Sequence, residues 1–397
     1  MSWELKSFDE LGFIGRGKSR HRPRNDESLY GGDFPLIQTG DVKNANLYIT
    51  EYSQTYSQKG LEQSKLWQPN TLCITIAANI ADTTILGIQA CFPDSIIGFV
   101  ADEKVCDVRF IKYHFDIVQK QMQMVSQGAT QDNLSLEKLL KFKVPTPPLQ
   151  TQKRIASILS NYDDLIENNF KRIKLLEETA QNIYKEWFVN FRFPNYENTP
   201  LNEETGLPIG WEMKNFEEIA NFSQGLQVST ELQFEDKRDD RTRFIRIVDV
   251  TQGNQPYRYI ETPDSKYVIE KDDIFMVRYG APQVVIGYEG VIANNFFKIS
   301  INDKIELLNN FLFMFLKQDN INQTLMALSS SATMPAISFK RIANIQILVP
   351  SINLQTIFSN QYSNILNYKY SLEYQNQKLK EARDILLPRL MNRTIEV

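Results

Sequence analysis

The chain has 397 residues, of which 42% are hydrophobic and 23% are charged, and its formal net charge is −4 at pH 7. This composition is typical of a globular protein of two or three domains, and the slightly acidic balance excludes a uniformly basic surface, so that any nucleic-acid contact must be local. No apolar run is long enough for a membrane span, the N-terminus lacks a signal-peptide core, and the three cysteines lack metal-type spacing. We therefore expect a cytoplasmic protein with no membrane partner.

In chain order, apolar runs predict strands at residues 35–39 and 71–77, and a strand-like stretch follows at 142–145. A long helix is predicted over 149–187, because apolar residues recur there at alternating steps of four and three: Ile155, Leu159, Tyr162, Ile166, Asn169, Ile173, Leu176, Ala180, Ile183 and Trp187.

The same order of segments returns about 208 residues later. Four echoes carry it: Trp3-Glu4-Leu5-Lys6 with Trp211-Glu212-Met213-Lys214, Gly17 with Gly225, Asp41-Val42 with Asp249-Val250, and Ala129-Thr130 with Ala332-Thr333. Strands are again predicted at 244–248, 273–277 and 345–350. A second heptad pattern follows at Leu354, Phe358, Gln361, Ile365, Tyr368, Leu372, Gln375, Leu379, Ala382 and Leu386, with Leu149-Gln150 and Leu354-Gln355 predicted to open the two helices. The chain thus reads as an internal duplication of roughly 200 residues.

We predict an α+β fold in which two mixed α/β domains are joined by two long antiparallel coiled-coil helices. The predicted segments are a first domain (1–148), the first long helix (149–192), a proline-marked linker (193–209), a second domain (210–350) and the second long helix with a C-terminal tail (351–397). Asn169 and Gln375 are polar at positions where the two seams call for apolar residues. We expect them to meet and fix the register of the helix pair, the alternative being that one or both face solvent.

Motifs for covalent chemistry are missing from the sequence. It has no phosphate-binding or dinucleotide-binding glycine motif, and neither His21 nor His114 has a companion at metal-ligand or nucleophile–base spacing. We therefore predict no catalytic residue, no metal site and no cofactor site on this chain.

Local charge is more informative. Arg16, Lys18, Arg20, Arg22 and Arg24 lie on one loop, which suits contact with a phosphate backbone, although a solvated surface loop is the alternative. The equivalent loop of the second copy is polar and includes Gln224. Further side chains of the types that read base edges lie at predicted loops and strand ends: Gln38, Thr39, Thr130 and Gln131 in the first copy, and Arg246, Arg278, Tyr279 and Thr333 in the second. Each of them could equally be a local hydrogen-bond former.

The order of segments resembles the specificity subunit of type I restriction–modification systems over essentially the whole chain. The stretches that carry the resemblance are residues 144–152 (VPTPPLQTQ), 183–191 (IYKEWFVNF), 206–212 (GLPIGWE) and 387–391 (LPRLM). One departure is Met334, which follows Thr333 where Gln131 follows Thr130.

The resemblance implies a non-catalytic subunit whose two target-recognition domains each read one half of a bipartite site in double-stranded DNA. It also implies two methyltransferase subunits and restriction subunits as partners, with S-adenosylmethionine, ATP and Mg²⁺ bound by those partners. Two other functions are open from the residues: the recognition subunit of a related system with a fused methyltransferase–nuclease partner, and a coiled-coil scaffold that does not bind DNA.

Overall fold

The computed structural model describes residues 3–77, 80–127, 134–252, 255–329 and 337–397, with the backbone alone for 120–127. The chain forms two compact units. Unit 1 comprises Met1–Arg172 with Ser371–Val397, and unit 2 comprises Ile173–Tyr370. Each unit therefore combines one globular region with a segment from each of two long helices.

The described residues of unit 1 form three sheets and six helices. Its strands are β1 (Glu4–Lys6), β2 (Gly12–Arg16), β3 (Tyr30–Leu36), β4 (Tyr48–Ile49), β5 (Gln54–Tyr56), β6 (Leu66–Trp67), β7 (Thr71–Thr75), β8 (Thr83–Leu86), β9 (Ala90–Cys91), β10 (Ile96–Ala101) and β11 (Val144–Thr146). Its helices are α1 (Phe8–Leu11), α2 (Thr39–Asn44), α3 (Gln58–Glu62), α4 (Val108–Gln127), α5 (Leu136–Lys141) and the first part of α6 (Leu149–Tyr184). The sheets have the strand orders β2-β10-β7-β8-β4, β5-β3-β9-β6 and β1-β11.

Unit 2 contains the rest of α6, a π-helical turn (Lys185–Val189) and the following elements. Its strands are β12 (Glu212–Asn215), β13 (Ala220–Gln224), β14 (Arg241–Ile245), β15 (Arg258–Glu261), β16 (Val268–Ile269), β17 (Ile274–Val277), β18 (Val284–Val285), β19 (Gly290–Ile292), β20 (Phe296–Ile301) and β21 (Gln346–Val349). Its helices are α7 (Phe216–Ile219), α8 (Ile247–Thr251), α9 (Asn309–Leu316), α10 (Asp319–Ser329), α11 (Phe339–Ile342) and the first part of α12 (Ile352–Met391), whose second part belongs to unit 1. The sheets have the orders β13-β20-β17-β18, β15-β14-β19-β16 and β12-β21.

These strand orders confirm the predicted duplication. Each sheet of unit 2 repeats a sheet of unit 1 strand for strand, with β4 as an addition in unit 1. The sheets β5-β3-β9-β6 and β15-β14-β19-β16 also share one parallel pairing. It joins β3 to β9 in unit 1 and β14 to β19 in unit 2. The α+β class and the internal repeat are therefore as predicted.

The glycine echo marks a close backbone approach. A Cβ on Gly17 would lie 2.3 Å from the carbonyl oxygens of Phe92 and Pro93, and one on Gly225 would lie 2.2 Å from that of Ala293. No side chain fits at either position, so the two copies keep glycine for the same steric reason.

The aspartate echo marks a helix cap rather than a strand end. The carboxylate of Asp41 accepts the backbone N–H of Gln38, and that of Asp249 accepts the backbone N–H of Arg246, each at 2.8 Å. The predicted strands 35–39 and 244–248 are therefore wrong at their C-terminal ends, since β3 ends at Leu36 and β14 at Ile245. The capped helices α2 and α8 begin where those predictions still placed strand.

The long helices pack antiparallel within each unit. In unit 1, Asp163 of α6 pairs with Arg383 of α12 at 2.5 Å, and Asn169 donates to Asn376 at 2.9 Å. The residue number on one helix therefore rises as that on the other falls. In unit 2, Glu177 of α6 pairs with Lys369 of α12 at 2.5 Å, and the ring centre of Tyr184 lies 5.8 Å from that of Phe358, so the helices are antiparallel there as well.

The seam predicted for α6 agrees with its burial, but four of the ten positions predicted for the α12 seam are displaced by one residue. Gln361, Tyr368, Gln375 and Ala382 are exposed, and the residues that face α6 are Tyr362, Lys369, Asn376 and Arg383. Asn169 therefore meets Asn376, and the predicted pairing with Gln375 is wrong. The prediction failed because three of the true seam residues are polar and are paired with polar residues of α6.

The predicted correspondence between Gln150 and Gln355 at the starts of the two long helices is wrong. Gln152, not Gln150, is the counterpart of Gln355, and both are fully buried. The Gln152 amide donates to the carbonyls of Val105 and Pro147, and its oxygen accepts the N–H of Asp107. Gln355 makes the same three bonds in unit 2, with Glu306, Pro350 and Leu308. Each glutamine thus ties the start of a long helix to its globular region.

Replacing Gln152 with alanine should lower the free energy of unfolding by about 3 kcal/mol, because three buried backbone groups lose their partner. The measurement is urea denaturation of the full chain, with Gln150→Ala as the matched control, since Gln150 is exposed two residues away. Equal losses from the two variants would contradict the assignment.

Replacing Asn376 with leucine should cost about 1–3 kcal/mol, because Asn169 stays buried without its acceptor. Replacing both asparagines with leucine should restore most of that stability, since no unpaired amide remains. Chemical denaturation of the two variants, with Gln375→Leu as the exposed neighbour, measures the difference. A Gln375→Leu variant as unstable as Asn376→Leu would rule out a register in which Asn169 faces Asn376.

Candidate nucleic-acid interface

The basic loop, residues 16–24, leaves β2 of unit 1 with all five of its predicted cations exposed. Arg24 forms a forked pair with Asp94, both bonds being 2.9 Å. Within the described ranges, Arg16, Lys18, Arg20 and Arg22 have no carboxylate partner. The loop therefore presents four positive charges that nothing described in unit 1 neutralises.

The backbone of this loop is anchored by two side chains, and a third contact joins two side chains. The Gln63 side-chain oxygen accepts the N–H groups of Arg20 at 2.7 Å and His21 at 3.1 Å, and the Ser64 hydroxyl donates to the carbonyl of Lys18 at 2.9 Å. A ring nitrogen of His21 lies 2.8 Å from the Asp26 carboxylate. These contacts hold the backbone of the loop against unit 1, while its cationic side chains stay exposed.

Beside the loop lies a cluster that the sequence analysis missed. The Lys65 ammonium lies 3.5 Å from the ring centre of Trp67 and 4.5 Å from that of Phe13, whose side chain is exposed. Burial lowers the pKa of Lys65, and the charge of Lys18 lowers it further. The second effect places Lys65 in the same positive field as the loop. A lysine two residues before a tryptophan was the available signal, but it is too common in sequences to single out a site.

The other described candidates of unit 1 lie at the start of α2. Gln38 and Thr39 are partly exposed, and the Gln38 amide donates to the side-chain oxygen of Gln54 at 3.2 Å. Thr130 and Gln131 lie outside the described residues, as does Thr333 of unit 2.

In unit 2, Gln224 occupies the strand end that Arg16 occupies in unit 1, because Gln224 faces Phe297 of β20 and Arg16 faces Ile97 of β10. The Gln224 amide donates to the carbonyl of Asn294 at 3.2 Å. The amide of Asn294 in turn donates to the side-chain oxygen of Gln227 at 3.3 Å. A neutral amide cluster therefore replaces the basic loop at this place in the fold.

The guanidinium of Arg246 is hydrogen-bonded to other residues of unit 2. Its guanidinium forms two bonds to the Asp249 carboxylate, at 3.0 and 2.8 Å, and donates to the carbonyl of Pro256 at 2.8 Å. The hydrogen-bonded carboxylate of Asp249 raises the pKa of Arg246. Arg246 therefore serves the cap of α8, and most of its donors are already used.

Arg278 and Tyr279 follow directly after β17. The Arg278 guanidinium carbon lies 4.9 Å from the Tyr279 ring centre and 5.1 Å from that of Phe297. The carbonyl of Arg278 accepts the N–H of Ile337, as the carbonyl of Ile76 accepts that of Leu134 in unit 1. The structure thus brings Arg278, Tyr279 and Phe297 together with the segment that follows the predicted residue Thr333.

Among the side chains described, no group of three or more His, Cys, Asp or Glu residues could hold a metal ion. No helix in the described part of the chain is long and apolar enough to cross a membrane. The three cysteines are buried and unpaired.

Comparison with known proteins covers both halves of the chain. A family model described as a type I restriction modification DNA specificity domain matches twice, at residues 2–178 and 208–382. The type I restriction enzyme MjaIX specificity subunit of Methanocaldococcus jannaschii is 23% identical over 98% of this chain and 92% of its own length. The MjaVIII specificity subunit of the same organism is 20% identical over 80% and 77%.

Among solved structures, the S subunit of a type I restriction–modification system from M. genitalium is similar in fold. The superposition has a TM-score of 0.59 at 17% sequence identity, and it covers 98% of this chain and 96% of that one.

Proposed function

Since the chain belongs to the family of type I restriction modification DNA specificity domains, we propose that it selects the DNA target of a restriction–modification complex. Unit 1 reads one half of a bipartite site and unit 2 reads the other. The match of the family model to both copies supports this function over a scaffold that does not bind DNA.

The observation that carries the proposal is a repeated framework with different side chains at its exposed positions. The sheets of the two units share one strand order, and their glycine and aspartate positions coincide. At the matched ends of β2 and β13, however, unit 1 has Arg16 and unit 2 has Gln224. Two half-sites of different sequence require this combination, because base edges are distinguished by the donors and acceptors that meet them.

Charge supports a DNA ligand at unit 1. The whole chain carries a net charge of −4, so attraction to phosphate must come from local excess. The basic loop supplies that excess through its four cations without a described carboxylate partner, with Lys65 beside them. Each cation that meets a phosphate releases condensed counterions, which favours binding at low salt.

We further propose two methyltransferase subunits and restriction subunits as the partners, with S-adenosylmethionine, ATP and Mg²⁺ bound there and the complex in the cytoplasm. A duplicated chain suits two copies of one partner, since it presents similar exposed groups twice. Leu5 and Met213 are such a pair, 60% and 48% exposed, and each lies between a glutamate and a lysine that form an ion pair.

The deciding experiment co-expresses this chain with the methyltransferase encoded beside it in a host that lacks DNA methylation. Sequencing of the methylated bases in the host genome should reveal one bipartite motif with a fixed gap. Methyltransferase expressed without this chain is the control and should leave no such motif. A motif that is identical with and without the chain would overturn the proposal.

The basic loop provides a second prediction. Replacing Arg16, Lys18 and Arg20 together with alanine should weaken DNA binding and flatten its salt dependence, by up to about 0.9 in the log–log slope for each phosphate that no longer meets a cation. Fluorescence anisotropy of the assembled complex on a target duplex, over a series of salt concentrations, measures both effects. Arg24→Ala is the matched control, because Arg24 is paired with Asp94 and should leave the slope nearly unchanged. An unaltered slope in the triple variant would assign the loop to solvent.

A further inference from the structure

In unit 2, two arginines each lie against aromatic rings. Neither of them has a carboxylate partner among the described residues. Arg243 lies on β14, with its guanidinium carbon 3.9 Å from the ring centre of Tyr257 and 5.5 Å from that of Tyr288. Arg278 follows β17 and lies against Tyr279 and Phe297. We infer that Arg243 and Arg278 are specificity-determining residues, each of which reads a guanine in the half-site of unit 2. This inference depends on the proposed function.

The aromatic contacts fix the direction of each guanidinium. In both residues the Nε atom is buried, and it has no hydrogen-bond partner among the described residues. The donors left for a ligand are therefore the terminal nitrogens. A guanidinium held against a ring loses little further freedom on binding, so its fork is prepared for a planar acceptor pair.

Three other arginines of unit 2 differ from Arg243 and Arg278 because each of them is paired with a carboxylate. Arg241 also lies against a ring, 3.5 Å from the centre of Phe234, but its terminal nitrogen is bonded to the Asp236 carboxylate. Arg258 pairs with Glu235 and Arg246 with Asp249. In those three residues a carboxylate neutralises the charge and occupies the fork. Arg243 and Arg278 have no carboxylate partner in the described part of the chain.

A guanidinium fork fits phosphate oxygens as well as guanine, but only a contact with guanine produces a sequence preference. In the major groove guanine presents two acceptors, N7 and O6, side by side, and arginine meets both with its two terminal nitrogens. Lysine keeps the charge but lacks the fork. Substitution by lysine therefore removes the fork while keeping the positive charge, and substitution by alanine removes both.

The equivalent positions of unit 1 lack arginine. Arg243 precedes the cap residue Arg246 by three positions, as Pro35 precedes the cap residue Gln38. Arg278 follows β17, and Ile76 follows the matched strand β7. The carbonyl of Arg278 accepts the N–H of Ile337, and the carbonyl of Ile76 accepts the N–H of Leu134. Neither Pro35 nor Ile76 has a side-chain donor, so the inference applies to one half-site alone.

The test compares methylated motifs in the co-expression host for the wild-type chain and for Arg243→Lys, Arg278→Lys and the corresponding alanine variants. Each lysine variant should lose its preference for guanine at one position of one half-site, on the order of ten- to a hundredfold. The other half-site and the gap should stay as in the wild type. Arg241→Lys is the matched control and should keep the wild-type motif.

An unchanged motif in both alanine variants would overturn the inference, as would an equal loss of methylation at all sites or the same relaxation in Arg241→Lys. Circular dichroism and the yield of assembled complex check that each variant folds. A wild-type chain that directs no bipartite motif would overturn the proposed function itself. That outcome is visible before any variant is compared.

Discussion

The structure depends on the polar pairs between α6 and α12. On α12 the residues Lys369, Asn376 and Arg383 are spaced by seven, and they meet Glu177, Asn169 and Asp163 of α6. Asp163 also accepts the hydroxyl of Tyr113 at 2.5 Å, which joins α4 to the helix pair. A slip of the helices by one turn would leave the buried Asp163, Asn169 and Asn376 without partners, and such unpaired groups cost more than the pairs stabilise. The pairs therefore set the register more than they add stability.

The duplicated framework could be predicted because its residues obey local rules that leave a trace in sequence. Gly17 and Gly225 are needed where a Cβ would collide with backbone, and Asp41 and Asp249 are needed as caps. Phe8 and Phe216 are fully buried at matched positions. Steric exclusion, capping and burial each restrict the residue type at a single position, so the same choices appear in both copies.

The contacts that could not be predicted are those in which one residue depends on a distant one. Alternating steps of four and three displaced four of the ten α12 seam positions, because Asn376 lies in the seam only through its pairing with Asn169. The sequence around Arg246 predicts a base-reading residue, and it does not reveal that Asp249 accepts two of its hydrogen bonds. Lys65, which lies against Trp67, has its pKa lowered in part by the charge of Lys18, a residue 47 positions earlier in the chain. Such partners are chosen by the fold, and the sequence pattern of neither residue reveals them.

The same distinction separates stability from specificity in this protein. Residues that hold the framework have their donors and acceptors satisfied inside their own unit, as Gln152 and Gln355 do. Residues suited to a ligand are those whose donors the described part of the unit leaves unsatisfied, as in Arg243 and Arg278. Replacing the second kind removes few internal contacts, so the recognised sequence can change at little cost in folding. A chain that carries two such units can therefore alter one half-site while the other unit and the helix register keep their contacts.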